Sequence, residues 1–417
     1  MLYSIDSIWN ETTYLNFVCL INNYHKLWWS AFRCFAIIVI VLILIVIITI
    51  TKIVKISPIQ SVSLQPSDKC YNKAAVAADA GTCSEIGRDM LKRNGSVVDA
   101  AIASLLCVSL VNAQSMGIGG GGVFTIYNVE TINARETAPM SASENMFGLF
   151  IGTPGLLRGY ELAHKRHGRL QWKELFEPSI KLALDGFQVG RALALAINET
   201  SGTILNNAAL CEVFCGSHNK SILKENDTIR FLQLAHTYKK IAEEGPDAFY
   251  DGSLTQDILD DIKAAGGIIT REDLKGYKPV LNEYALNFTV GKYIFLAPDA
   301  PFGGPVLALI LNILKGYNIS SSSVSTTEKT LTYHRMIEAF HFADVQKRKL
   351  GDPDYENLTE VKSLADNIRS KIKDDLKQSS YYEQEDSDGV PDDHGTSHLS
   401  VLAEDGSAVA VTSSINT

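Results

Sequence analysis

Between Cys34 and Ile50 the chain reads CFAIIVIVLILIVIITI, a run without a single charged side chain. A helix rises about 1.5 Å per residue, so with Thr51 and its flanks the run nearly matches a hydrocarbon core about 30 Å thick. A buried core helix is seldom apolar all round. The rival reading, a cleaved signal peptide, has an apolar region of roughly 7 to 15 residues that ends in small residues near its cleavage site. Here Lys52 and Lys55 follow instead. The run is therefore read as an uncleaved transmembrane signal anchor over residues 34–51. It divides the chain into a tail (1–33), a stalk (52–73) rich in Ser, Pro and Gln between Ser57 and Asp68, and a large body beyond.

Basic residues do not orient the anchor, because Lys26 and Arg33 before it are balanced by Lys52 and Lys55 after it. The downstream sequence does. Asn-x-Ser/Thr acceptors occur at Asn94, Asn198, Asn219, Asn226, Asn287, Asn318 and Asn357, a pattern that suits a luminal or extracellular body and leaves the tail, with its acceptor at Asn10, in the cytosol. The expectation is a single-pass type II plasma-membrane protein. A net charge of -9 and the lack of a dense Lys/Arg run argue against nucleic acid as a partner.

Two helical patterns, SEIGRDMLKRN and SVVDAAIASLLCVSLV, flank Gly95. Ser96 reads as an N-cap with Asp99 at the third helical position, and Gly95 as the residue that ends the first helix. Cys83 and Cys107 lie at equal distances from Gly95, so an antiparallel helix hairpin brings them side by side. A disulfide there closes a loop worth roughly 3 kcal/mol; the alternative is two separate buried thiols. Cys211 and Cys215 are spaced for a second, local bridge, and without a nearby His or second pair they are poor evidence for zinc.

From Ala74 onward the pattern is mixed α/β. The glycine-rich stretch from Gly117 leads into a strand, and a second strand is expected over Thr131 to Glu136. No Lys-Ser/Thr follows the glycines and no helix succeeds them, so close backbone packing is favoured over phosphate binding. Helices are expected over Gly159–His167, Trp172–Asp185, Thr228–Glu244, Thr255–Ala265, from Gly304 behind a proline, and over Thr330–Lys347. Residues 379–394, SSYYEQEDSDGVPDDH, read as an exposed acidic loop.

The final stretch, HGTSHLSVLAEDGSAVAVTSSINT, reads as a β-hairpin. A two-residue turn sets Leu399 opposite Thr412. A three-residue loop, Glu404-Asp405-Gly406 with left-handed glycine, sets Leu399 opposite Val411 and Val401 opposite Val409. Apolar cross-strand pairs favour the second register. Thr396 then lies opposite Ser414 with both hydroxyls on one face, and Asn416 follows on that face. A threonine behind Gly395 at a strand's start is suited to attack its own preceding carbonyl. The break frees an α-amine, whose ordinary pKa of about 7.7–8.0 lies close to neutrality, so one residue supplies nucleophile and base. The competing reading is an ordinary strand threonine.

The stretches DDHGTSHLSVLAEDGSAV, INARETAP, NAQSMGIGGG, RGYELAHKRHGRL, AAGGIITREDL and GPVLALILNILKGYN together resemble the gamma-glutamyltransferases, or gamma-glutamyltranspeptidases, of the animal membrane-bound type, from about Ala74 to Asn416. The resemblance implies an N-terminal-nucleophile hydrolase fold, a four-layer αββα sandwich, made as a precursor that cleaves itself before Thr396. Residues 74–395 then correspond to the large subunit and 396–417 to the first hairpin of the small one. It implies a threonine acyl-enzyme at Thr396 that takes the γ-glutamyl group of glutathione or its conjugates and passes it to water, an amino acid or a dipeptide. Arg135 matches the residue that grips the donor's α-carboxylate, a task suited to a guanidinium's paired donors; the plainer reading is a salt bridge to Glu136. Ser414 stands where the family often has threonine, and Asn416 matches a contact to the donor's amino-acid end. Both cysteine pairs match family positions. Neither cofactor nor metal is implied.

Two departures matter. The family's acidic amino-group binders, serine pair and oxyanion-hole glycine lie beyond Thr417, and the segment Met140–Gly155 is shorter than the family pattern. An oxyanion-hole donor is worth about 3–4 kcal/mol of barrier, so weak or no turnover is expected of the sequence as given. The competing readings are a catalytically silent membrane glycoprotein and, disfavoured by Arg135, a self-cleaving amidohydrolase of other acyl specificity.

Overall fold

The structure is a computed structural model that describes residues 73–127, 130–142, 151–216, 221–320, 323, 325, 328–347, 350, 364–375 and 395–415. The apolar run, the tail, the stalk up to residue 72, the whole acidic loop, and Asn219, Asn357 and Asn416 lie outside the described residues. Among those described, no helix is long and apolar enough to cross a membrane.

Strand β1 (Ala75–Ala78) leads into the helix hairpin of α1 (Gly81–Lys92) and α2 (Val97–Val111). Ser96 starts α2 as expected: its hydroxyl accepts the Asp99 amide at 3.0 Å, and the Asp99 carboxylate accepts the Ser96 amide at 2.8 Å. The stop of α1 is shifted by one residue. Asn94, not Gly95, is left-handed (φ 66°), while the Gly95 amide donates back to the Met90 carbonyl at 2.9 Å. Gly95 is needed for space, since a Cβ there meets that carbonyl at 2.8 Å and Leu170 Cδ1 at 2.9 Å. Cys83 and Cys107 are bridged, with Cα atoms 5.3 Å apart. Helix α2 is buried along almost its whole length.

The chain continues through β2 (Gly121–Ile126), β3 (Glu130–Ala134), α3 (Leu156–His167), α4 (Trp172–Asp185), β4 (Phe187–Gln188), α5 (Arg191–Glu199), α6 (Ser201–Asn206) and α7 (Ala208–Phe214). Then come β5 (Thr228–Ile229), α8 (Leu232–Glu244), α9 (Asp247–Tyr250), α10 (Thr255–Ala264), α11 (Arg271–Gly276), β6 (Val280–Asn282), β7 (Leu286–Val290) and β8 (Tyr293–Ala297). Helices α12 (Gly304–Lys315), α13 (Lys329–Lys347) and α14 (Leu364–Lys371) precede β9 (Ser397–Leu402) and β10 (Ala408–Ser414). The helix expected from Thr228 starts only at Leu232. Left-handed Asn226 turns the chain, and β-branched Thr228 and Ile229 pair with β4 instead. Cys211 and Cys215 form the local bridge.

Six strands form one antiparallel sheet in the order β1-β9-β10-β2-β3-β6. Its inner face buries Phe124, Ile132, Leu399, Val401, Val409 and Val411 against α2 and α3. Its outer face carries the alternate residues, among them exposed His398, Ser400 and Leu402. Fully burying an aliphatic or aromatic side chain of this size stabilises a fold by about 1.5–3 kcal/mol, so this one-sided core fixes the register that the site depends on. Strands β7 and β8 make a separate pair, and α12–α14 close a second, smaller core.

Candidate active site

The hairpin β9–β10 adopts the three-residue loop. Ala403 and Ser407 are joined by a backbone hydrogen bond at 2.9 Å around Glu404-Asp405-Gly406, with Gly406 at φ 81°. Asp405 fixes the turn by accepting the Ser407 amide at 2.9 Å and its hydroxyl at 2.5 Å. Leu399 faces Val411 and Val401 faces Val409. One step past the last ladder pair, Thr396 Oγ1 donates to Ser414 Oγ at 3.4 Å. The Ser414 hydroxyl has two acceptors at 3.4 Å, the Gly395 carbonyl and its neighbour Ile415's. These are loose contacts of the kind that tighten when a reaction is under way. Gly395 itself sits at φ 90°, a conformation that favours glycine.

Strand β10 then hands the site across the sheet. Ser414 pairs with Gly121 on β2, and Gly122 pairs with Ala134 on β3. Continuing that register by one step aligns Thr396, Ser414, Gly121 and Arg135 in a single row. Three inter-strand steps of about 4.8 Å separate the outer two, roughly 14 Å between Cα atoms. The glycines make the row possible. A Cβ on Gly121 meets a Glu136 carboxylate oxygen at 2.2 Å and Arg135 Cα at 2.7 Å; one on Gly120 meets the Ser414 carbonyl at 2.2 Å. Close backbone packing, the favoured reading of this cluster, is what it does.

Arg135 lies just beyond β3, which ends at Ala134 rather than Glu136. The side chain of Asn133 takes the Arg135 amide at 3.0 Å, while the Arg135 carbonyl accepts the Tyr277 hydroxyl at 2.7 Å. The guanidinium is half-exposed and bonded to Glu136 at 2.9 Å through one nitrogen. Its other two nitrogens have no partner among the described residues. The plainer reading of Arg135 is thus realised without using up its paired donors. Tyr277 stacks on Tyr250, whose hydroxyl donates to the Pro154 carbonyl at 2.9 Å and whose ring lies under Arg158 at 4.3 Å. Burial, and after it the Glu136 carboxylate, push the Tyr277 phenol far above its ordinary range, so it stays a donor.

Sequence reasoning missed Glu136 over Gly121, and Tyr277, for which no local signal exists. It also passed over His398, which period-two alternation puts on the face of Thr396. The His398 ring bonds Thr412 Oγ1 at 2.8 Å and Ser400 Oγ at 3.1 Å, and its amide donates to Asp79 at 3.0 Å. Among the described residues no group of three His, Cys, Asp or Glu side chains is placed to hold a metal. Of the segment expected to be short, residues 140–142 and 151–155 are described: the Met140 amide donates to Asp273 at 2.8 Å, and Thr153 bridges Thr137.

A family model, gamma-glutamyltranspeptidase, matches residues 83–417. The chain belongs to that family. Among relatives of this gamma-glutamyltranspeptidase-family chain, Scoloptoxin SSD14 of Scolopendra dehaani is 43% identical over 366 residues, covering 83% of this chain and 63% of its own length. Glutathione hydrolase 5 proenzyme of Rattus norvegicus is 40% identical over 391 residues, covering 87% and 67%. The sequence therefore spans roughly two thirds of the length of these relatives. The crystal structure of Helicobacter pylori gamma-glutamyltranspeptidase superposes with a TM-score of 0.68 at 26% identity, covering 76% of this chain and 97% of that one.

Proposed function

We propose that this protein cleaves itself before Thr396 and then transfers or hydrolyses the γ-glutamyl group of glutathione and its conjugates. The observation that carries the reading is the contact chain from Thr396 Oγ1 through Ser414 Oγ to the Gly395 carbonyl. Thr396 Oγ attacks the Gly395 carbonyl carbon and forms an ester as the Gly395–Thr396 amide bond breaks. The hydroxyl proton ends on the departing nitrogen. Ser414 aligns the attacking oxygen and donates toward the carbonyl oxygen as charge develops there. Water then hydrolyses the ester and leaves Thr396 with a free α-amine, the base for the next cycle. In that cycle the freed hydroxyl accepts the γ-glutamyl group as an ester, releases the donor's amine, and yields the group to water, an amino acid or a dipeptide.

Arg135 supports the substrate class. Arg135 follows Gly121 in the backbone row of Thr396, and the guanidinium nitrogens that Glu136 leaves free among the described residues suit an α-carboxylate bidentately, so that the γ-carbonyl of an extended glutamyl donor would point back toward the nucleophile. Asn416 would add a contact at the donor's amino-acid end. The proposal extends to a complete four-layer αββα sandwich in the whole family architecture, large and small subunits from one precursor, and an extracellular body anchored by residues 34–51. Two bands on a denaturing gel, dividing before Thr396, are expected on expression, and one uncleaved band from Thr396→Ala. An intact wild-type chain would overturn self-cleavage and favour the silent glycoprotein. A chromogenic γ-glutamyl amide then tests turnover, which is expected to be weak for the sequence as given.

A further inference from the structure

Five Asn-x-Ser/Thr acceptors fall among the described residues, and all five asparagines are exposed. Three of them have a folding reason to be asparagine. Asn94, Asn226 and Asn318 take φ 66°, 70° and 49°, the left-handed backbone that most side chains avoid and asparagine tolerates. The acceptor hydroxyl does not separate the sites, because Ser96 caps α2 after Asn94 and Thr200 Oγ1 donates to the Ala196 carbonyl at 2.8 Å after Asn198. At these positions turn geometry alone accounts for the asparagine.

Asn198 is different. It sits in the last turn of α5, where asparagine is a poor helix former, and its side chain makes no hydrogen bond among the described residues. It lines a cleft of about 230 Å³ together with Arg191, Leu195, Ile222, Lys224 and Glu225. Leu195 lies three residues before Asn198 on the same helical face and is 52% exposed. An apolar wall beside three charged, hydrogen-bonding side chains is the surface a pyranose needs: C–H groups against leucine and isoleucine, hydroxyls toward the cations and the carboxylate. Asn287, exposed on β7, also lacks a left-handed backbone but is not part of this cleft.

We infer that Asn198 is an N-glycosylation site whose first sugar seats in the cleft beside Leu195. The inference rests on the proposed extracellular placement of the body, which would expose the chain to a lipid-pyrophosphate-linked oligosaccharide. The Asn198 Nδ2 bonds to the sugar's anomeric carbon while the bond from that carbon to the pyrophosphate oxygen breaks. The bonding pair leaves with the pyrophosphate, and one amide proton is lost. The seated sugar shields Leu195, which the polypeptide leaves half in water.

The test is the full chain expressed in a eukaryotic secretory host, with glycans released by a peptide amidase in heavy-oxygen water so that each occupied asparagine becomes an isotope-marked aspartate. Marking at Asn198 is expected, and Asn198→Gln should run faster on a gel by one glycan. Seating is read under native conditions: release from Asn198 should be at least several-fold slower than from Asn287, and Leu195→Ser should abolish the difference. Marks at other acceptors with Asn198 bare overturn the inference and leave the extracellular placement standing. No marks anywhere overturn both. Marking at Asn198 with release as fast as at Asn287 overturns the seat.

Discussion

At Ser414 one hydroxyl stands between an attacking oxygen and the carbonyl it would attack, so single substitutions there discriminate. Ser414→Ala leaves the hairpin's apolar pairs untouched but removes both contacts. A lost donor to a developing oxyanion costs about 3–4 kcal/mol, which makes self-cleavage slower by on the order of 10²–10³ in a time course followed on denaturing gels. Ser414→Thr keeps the hydroxyl and is expected to cleave. Tyr277→Phe strips a half-buried carbonyl of its donor, and a denaturant titration should show a loss of about 0.5–1.5 kcal/mol. The face shared by Thr396 and Ser414 was legible in the sequence because a hairpin is local: loop length and period-two pairing fix which residues meet. Tyr277 was not legible, because nothing around it in the chain records that its hydroxyl ends on a carbonyl 142 residues away.

Among the elements, the helix hairpin and the glycine-rich start of β2 bear the most specific expectations. The bridge between Cys83 and Cys107 spans 24 residues and that between Cys211 and Cys215 only 4. The chain-entropy relation gives about 3.5 kcal/mol for the first and about 2 for the second. Replacing the first pair by alanines should therefore lower the denaturant midpoint clearly more than replacing the second, which ties half-buried Cys211 of α7 to Cys215 just past its end. Gly120→Ala puts a methyl group 2.2 Å from the Ser414 carbonyl, a backbone atom of the central strand. Loss of self-cleavage together with a lowered melting temperature is the expected result. The helix hairpin announced itself through its cap and its symmetric cysteines. The start of α8 did not, because pairing of Thr228 and Ile229 with β4 overrode a helical periodicity.

For the whole molecule, acid is the informative variable. The Glu130 carboxyl is held below its usual range by hydrogen bonding from Arg166, against burial, with His167 adding to it. Asp273 is depressed because amides of Met140 and Thr270 and the Thr270 hydroxyl outweigh its burial. Asp405 is depressed by the Ser407 hydroxyl and amide, then by Arg169. A carboxyl whose folded pKa lies below its unfolded value stabilises fully above that value, about 3.9–4.3. That contribution is lost as pH falls through the folded pKa. Denaturation midpoints should therefore stay level from neutral pH to about 5 and fall below about 4. By itself the sequence determined what is short-range: helix caps, a disulfide-ready hairpin, the register of β9 on β10, and the threonine at its start. Only the tertiary structure decided that β10 lies beside β2, which, paired with its chain neighbour β3, brings Arg135 into the row of Thr396. The reason is that strand order follows from burying one face of a sheet on α2 and α3, a choice made between segments almost 300 residues apart that no local pattern encodes.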